Sequence, residues 1–144
     1  MHEAVHDVSN GEELARLRAA LSAAGDVAYE WDLALDSITW SGDVEKAFGI
    51  ANGQLPVSGP QFNALVAQED LAARTNFVTR LRAGETQFEC EYRLRLPRKG
   101  ESWVHDRASA EFDESGNAVR VVGILRFMDP DISRAGRREH LANF

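Results

Sequence analysis

The chain has a single cysteine, Cys90, in 144 residues. That excludes a disulfide framework within one chain and fits a reducing compartment. Basic residues are also few: 16 Lys and Arg against 23 Asp and Glu leave a formal net charge of −7. Nucleic acid and anionic membrane surfaces are recognised by clustered cations, so neither is expected as a partner. The one basic cluster, Arg134, Arg137 and Arg138, reads as a solvated helix face. No stretch approaches the roughly 18 apolar residues of a membrane span. The N-terminus, "MHEAVHDVSNGEEL", lacks the basic and apolar regions of a signal peptide. A cytoplasmic location is expected.

Catalytic signatures are missing too. The four histidines, His2, His6, His105 and His140, stand at no metal-ligand spacing with one another or with Cys90. There is no Gly-rich phosphate loop and no nucleophile motif. The chain is therefore expected to be non-catalytic and to hold no metal.

What is present is a helix, a pair of strands, a helical middle and a strand-rich last third. Residues 1–11 read as a frayed polar tail. "EELARLRAALSAAG" comes next as a helix, with Leu14, Leu17, Leu21 and Ala24 on one narrow seam and Gly25 as its stop. "DVAYEWDL" and "SITW" read as two strands joined by a turn. Ser41 is expected to cap a short helix closed by Gly49. Residues 51–60 read as loop and "QFNALVA" as a turn or two of helix. "QEDLAARTNFVTRLRAG" is a stronger helix: Glu69 and Asp70 begin it, Arg80 and Arg82 end it, and that charge order complements the helix dipole. Leu71, Phe77, Val78 and Leu81 supply its buried face.

In "TQFECEYRLRL", Phe88, Cys90, Tyr92, Leu94 and Leu96 alternate with Glu89, Glu91, Arg93 and Arg95. A period of two means a half-buried antiparallel strand. "SWVHDRASAEF" and "AVRVVGILRFM" come after short turns, so the last third is a three-stranded meander. The last of these strands is apolar at both alternating sets of positions, so both its faces want cover. The order implies an α+β domain: one five-stranded antiparallel sheet with helices on one face.

These residues resemble a PAS domain of the bacterial PAC-bearing subtype. The likeness runs from about Asp26 to Ser133. It rests on Glu91-Tyr92-Arg93 in the third strand, Trp103-Val104 in the fourth, Asp113 to Gly116 in the next turn, and Asp131-Ile132-Ser133 at the exit. Gln68 stands where the family often has Pro, Ser133 where it has Thr, and Pro130 interrupts the approach to Asp131. The resemblance implies a PAS fold over residues 26–129, preceded by a tail and dimerisation helix over 1–25. It implies an exit helix over 130–144 leading to an output domain. The terminal "REHLANF" is similar to the lead-in of a GGDEF domain.

The resemblance also implies a role. Domains of this family dimerise and regulate an output domain in the same polypeptide, here a diguanylate cyclase or cyclic-di-GMP phosphodiesterase of the GGDEF/EAL kind. Two alternatives stay open: a ligand-free docking module that recruits a response regulator or adaptor, and a small-molecule or flavin sensor of a histidine kinase. Asp131, Ser133 and Trp103 are the expected coupling residues, and Leu14, Leu17 and Leu21 the expected dimerisation residues. No cofactor is expected; a small metabolite or a flavin lined by Trp31, Trp40 and Trp103 is the alternative. Cys90 lies in a strand without the photosensor cysteine motif and reads as a small core residue. His105 is the only histidine placed where a haem iron could be met.

Overall fold

The computed structural model describes the backbone of residues 2–128 and the side chains of residues 11–128. The order is α1 (His2–Ala24), β1 (Asp26–Asp32), β2 (Ser37–Ser41), α2 (Val44–Phe48), α3 (Gly59–Asn63), α4 (Leu71–Arg82), β3 (Gln87–Leu96), β4 (Gly100–Phe112) and β5 (Ala118–Phe127). Single 3₁₀ turns at Asn52–Gln54 and Gln68–Asp70 join the helical middle. The five strands form one antiparallel sheet in the order β2-β1-β5-β4-β3. The meander β3-β4-β5 pairs its last strand with β1, which closes the sheet around the helices that intervene in sequence.

The alternation read from the sequence sets the two faces. Phe88, Tyr92, Leu94 and Leu96 of β3 are buried while Glu89 and Arg95 are exposed. Val104, Asp106, Ala108 and Ala110 of β4 point the same way, as do Val121, Gly123 and Leu125 of β5. Helices α2, α3 and α4 cover this inner face. Phe77 of α4 packs on Phe88 with ring centroids 4.4 Å apart, and Phe62 of α3 meets Tyr92 edge-on at 6.1 Å. Trp40 extends the aromatic layer to Phe48, and Phe48 extends it to Phe127. Val27, Phe48, Tyr92, Leu94, Val104, Val121 and Leu125 are the fully enclosed apolar side chains at its centre.

Two local expectations need correction. Helix α1 begins at His2, not near residue 12. The intervening residues contain no proline, and a single glycine costs a helix only about 1 kcal/mol. Ser41 does not cap α2; it is the last residue of β2, and Asp43 holds the cap position without a side-chain hydrogen bond. Ser58 is instead a side-chain cap, its Oγ accepting from Gln61 N at 3.3 Å ahead of α3. The expected stop at Gly49 holds: it is left-handed at φ 68° and donates to Glu45 O.

Both free edges of the sheet are pinned by the chain itself. Along β3, Ala67 N donates to Arg93 O and Arg95 N donates to Leu65 O, forming a short bridge between Val66 and Leu94. Along β2, Ile38 N donates to Val57 O at 2.9 Å.

Candidate functional site

The centre of the domain is polar. Asp106 occupies an inward position of β4 and is 2% exposed. Its Oδ1 accepts from Tyr29 Oη at 2.8 Å and its Oδ2 from Tyr92 Oη at 2.9 Å. Tyr29 reaches it from β1 by crossing over β5. That crossing is open because residue 123 is glycine: a Cβ there would lie 2.5 Å from the Tyr29 ring. Burial pushes the Asp106 carboxyl above its ordinary range, opposed by the charge of Arg74 and by the two tyrosine hydroxyls. Burial likewise raises both tyrosines, with Asp106 adding to the effect.

Arg74 supplies the opposite charge from α4. It sits on the seam expected to be apolar and is 6% exposed. Its guanidinium lies over the rings of Phe62, Phe77 and Trp31, and its Nε donates to Asn63 Oδ1 at 3.3 Å. Asp106, Arg74, Tyr29, Trp31, Trp40 and Phe62 line a residual cavity of about 10 Å³. The half-buried Trp31 ring closes one side of it. Trp31 Nε1 donates to Asp36 Oδ1 at 2.8 Å, and the same oxygen accepts from Gly59 N at 2.9 Å. Asp36 has φ 50°, a left-handed value uncommon outside glycine.

The three tryptophans considered together as a ring pocket divide. Trp31 and Trp40 line the interior; Trp103 lies on the outer face, with the Arg93 guanidinium 5.0 Å over its ring. His105 also points outward, its Nε2 2.7 Å from Glu89 Oε1, so it cannot ligate a haem held inside. Cys90 faces inward from β3, and burial pushes its thiol up to about 12, which keeps it protonated and unreactive near neutrality. Among the described residues no cluster of His, Cys, Asp or Glu could hold a metal ion, and no helix is long and apolar enough to cross a membrane.

A second constellation lies where β3, β4 and the end of β5 meet. Asp70 receives three hydrogen bonds from Arg93: from its backbone N, Nε and Nη2, at 2.8–3.0 Å. Glu69 binds Arg95 beside it. The acidic pair read as helix-start charge is thus a clasp between the 3₁₀ turn and strand β3. Trp103 O accepts from Met128 N at 3.0 Å, at the point where β5 gives way to the exit segment. Of the expected coupling residues, Trp103 lies at this junction; Asp131 and Ser133 lie outside the described residues, as does the expected exit helix.

The third feature is the outer face. Val122 and Ile124 of β5 are 42% and 43% exposed. They border a groove of about 860 Å³ whose far wall is the end of α1, with Leu17, Ala20, Leu21 and Ala24. Leu14 and Leu17 are themselves 53% and 55% exposed.

Fold and site together define a compact class of module: one antiparallel sheet wrapped over helices, with a small charged interior. The chain belongs to the PAS-fold family, whose sequence model matches residues 37–125. A comparison with curated proteins returns no match. Among solved structures, it is similar to the N-terminal domain of a diguanylate cyclase with PAS/PAC sensor from Marinobacter aquaeolei (21% identity over 71% of this chain and 94% of that one, TM-score 0.62). It is similar to a sensory box histidine kinase/response regulator from Burkholderia thailandensis (23% identity over 90% and 99%, TM-score 0.65). A light-oxygen-voltage domain studied with a flavin analogue has the same fold (19% identity over 90% and 96%, TM-score 0.65).

Asp106, Arg74, Tyr29 and Tyr92 are not among the site residues expected from the sequence. Two signals in it point to them: a carboxylate in phase with Val104 and Ala108, and an arginine in register with Leu71, Phe77 and Leu81.

Proposed function

We propose that the chain is a regulatory sensory domain that works as a homodimer and passes the state of its interior to an output domain. The output we favour is a diguanylate cyclase or cyclic-di-GMP phosphodiesterase. Its support is the PAS/PAC domain of the diguanylate cyclase to which this chain is similar. The coupling route runs from the inner sheet face through β4 and Trp103 to the end of β5, and from there to the segment carrying Asp131 and Ser133.

The observation that carries the dimer is the pairing of two exposed apolar surfaces on one side of the sheet. Val122 and Ile124 stand on one wall of the outer groove and Leu17 and Leu21 of α1 on the other, while Leu14 lies exposed earlier on the same helix. An apolar strip on α1 and another on β5 are what a two-fold interface needs, because each copy offers both partners at once. Burying each leucine contributes roughly 1.5–3 kcal/mol. Light scattering on the chain should give a dimer at tens of micromolar, and Leu14→Glu with Leu17→Glu should give a monomer. A monomeric wild type, or a double variant that stays dimeric, removes this reading.

A further inference from the structure

The buried guanidinium of Arg74 has more donors than acceptors. Of its five N–H groups, Nε–H reaches Asn63 Oδ1, and among the described residues the Nη groups find no oxygen. The rings of Phe62, Phe77 and Trp31 answer its charge but not its N–H bonds. Asp106, which shares the cavity, has both oxygens engaged by tyrosine hydroxyls. A cavity of about 10 Å³ holds at most one water, and the lone pairs of one water answer about two of the four Nη–H groups. Buried donors left without acceptors are rare in folded proteins and call for a partner.

We propose that the interior is a binding site for a small organic monocarboxylate, held through its carboxylate by the Nη groups of Arg74 and through its apolar body by Ile38, Trp40 and Phe62. The proposal rests on the sensory role and names its input. A planar fork of N–H donors matches the two oxygens of a carboxylate. The aromatic walls offer no place for a second charge, which selects one carboxylate on an apolar body over a diacid or a phosphate. Burial already favours the protonated form of Asp106, so the incoming anion is not set against a fixed like charge.

Room for the ligand comes from Trp31. Its ring is a half-exposed cover, fixed by one hydrogen bond to Asp36. Asp36 sits in a left-handed backbone conformation on the β1–β2 turn and also holds the start of α3 through Gly59 N. Turning Trp31 outward breaks that one bond and uncovers Arg74. Binding therefore couples the interior to the position of the β1–β2 turn and α3.

The test is calorimetric titration of the whole chain with sodium propionate and sodium benzoate, and with benzamide as a neutral counterpart of benzoate. One of the acids should bind saturably at one site per chain, and benzamide should bind at least about tenfold more weakly than benzoate if benzoate is the ligand. Arg74→Met should abolish binding with an unliganded Tm equal to or above wild type, because an unmatched buried charge has been removed. Arg74→Lys keeps the charge without the fork and should bind about tenfold more weakly; it serves if Arg74→Met does not fold. Absence of saturable binding of both acids at up to about 10 mM, which corresponds to less than about 3 kcal/mol of affinity, overturns the proposal. So does undiminished binding in both Arg74 variants, or equal binding of benzoate and benzamide. A chain that dimerises but binds neither acid sinks this inference alone; one that binds and stays monomeric sinks the dimer alone.

Discussion

A carboxylate enclosed among aromatic rings is tolerable only if its lone pairs are used. Asp106 uses both oxygens on tyrosine hydroxyls, and each tyrosine reaches it by a different route. Gly123 matters for one of those routes alone. Gly123→Ala would set a methyl group against the Tyr29 ring, forcing the ring and its hydroxyl away from Asp106. Overpacking of this kind costs about 1–3 kcal/mol, and the lost buried hydrogen bond adds to it. Urea denaturation should therefore show a loss of at least about 2 kcal/mol, and an effect under about 0.5 kcal/mol would mean that Tyr29 does not lie over Gly123. Asp106 also predicts a pH dependence. Its carboxyl is raised by folding, so the native state keeps a proton that the unfolded chain releases from about pH 4. The stabilisation from that proton is complete below about pH 4 and is lost as pH rises through the folded value. Asp106→Asn does not titrate. The stability of wild type relative to this variant should therefore fall as pH rises above about 4; a flat or rising difference contradicts the raised carboxyl. Asn can still accept from one tyrosine and donate to the other, so the variant is expected to fold.

Elements are more legible in the sequence than the groups between them. The alternation in β3 sets its faces correctly from Phe88 to Leu96, since a strand's side chains have no choice but to alternate. The long helix α4 is evident from its apolar seam, but Arg74 on that seam is not, because periodicity counts apolar positions and gives no weight to a charge in their midst. Glu69 and Asp70 are easily placed and easily misread. Local rules assign acids near a helix start to the dipole, whereas here β3 runs alongside and supplies Arg93 and Arg95. For Asp70 that partner lies 23 residues away in sequence, beyond the reach of any local pattern. The clasp has a measurable consequence. Asp70→Ala removes the acceptor of the Arg93 backbone N–H and of its Nε, leaving the side chain its longer contacts with Glu69 and Glu101. A hydrogen bond to a charged group contributes about 1.5–3 kcal/mol, so urea denaturation should show a loss in that range. Asp70→Asn, which keeps an acceptor and loses the charge, should lose most of the same amount; a loss under about 0.5 kcal/mol in Asp70→Asn would show that the charge of Asp70 is not what Arg93 holds.

At the scale of the molecule, the sheet has two faces with different tasks. The inner face encloses Arg74 and Asp106; the outer face carries Val122 and Ile124 toward the α1 groove. The doubly apolar character of "VVGILRFM" announces this division, because one strand cannot hide both its sides in a single layer of helices. The sheet is the shared wall between the interior and the proposed interface, and Trp103 lies beside the end of β5. In the proposed coupling route, Asp131 ties that exit to the sheet. Asp131→Ala in the protein carrying its output domain should leave folding intact while the output loses its response to the sensory domain. An unchanged response would show that the joint lies elsewhere.

The pinned edges of the sheet carry a last consequence. An open strand edge is a template on which a foreign peptide or a second copy can add a strand, and the addition can repeat without end. Here Val66 and Leu65 already lie along β3, and Val57 lies against β2. At these points a strand added in the plane of the sheet would have to displace the chain's own segments. A partner meets less obstruction across a face, where two-fold pairing ends after one step. A domain with exposed valine and isoleucine on its sheet is in this way steered to finite assembly and away from fibres.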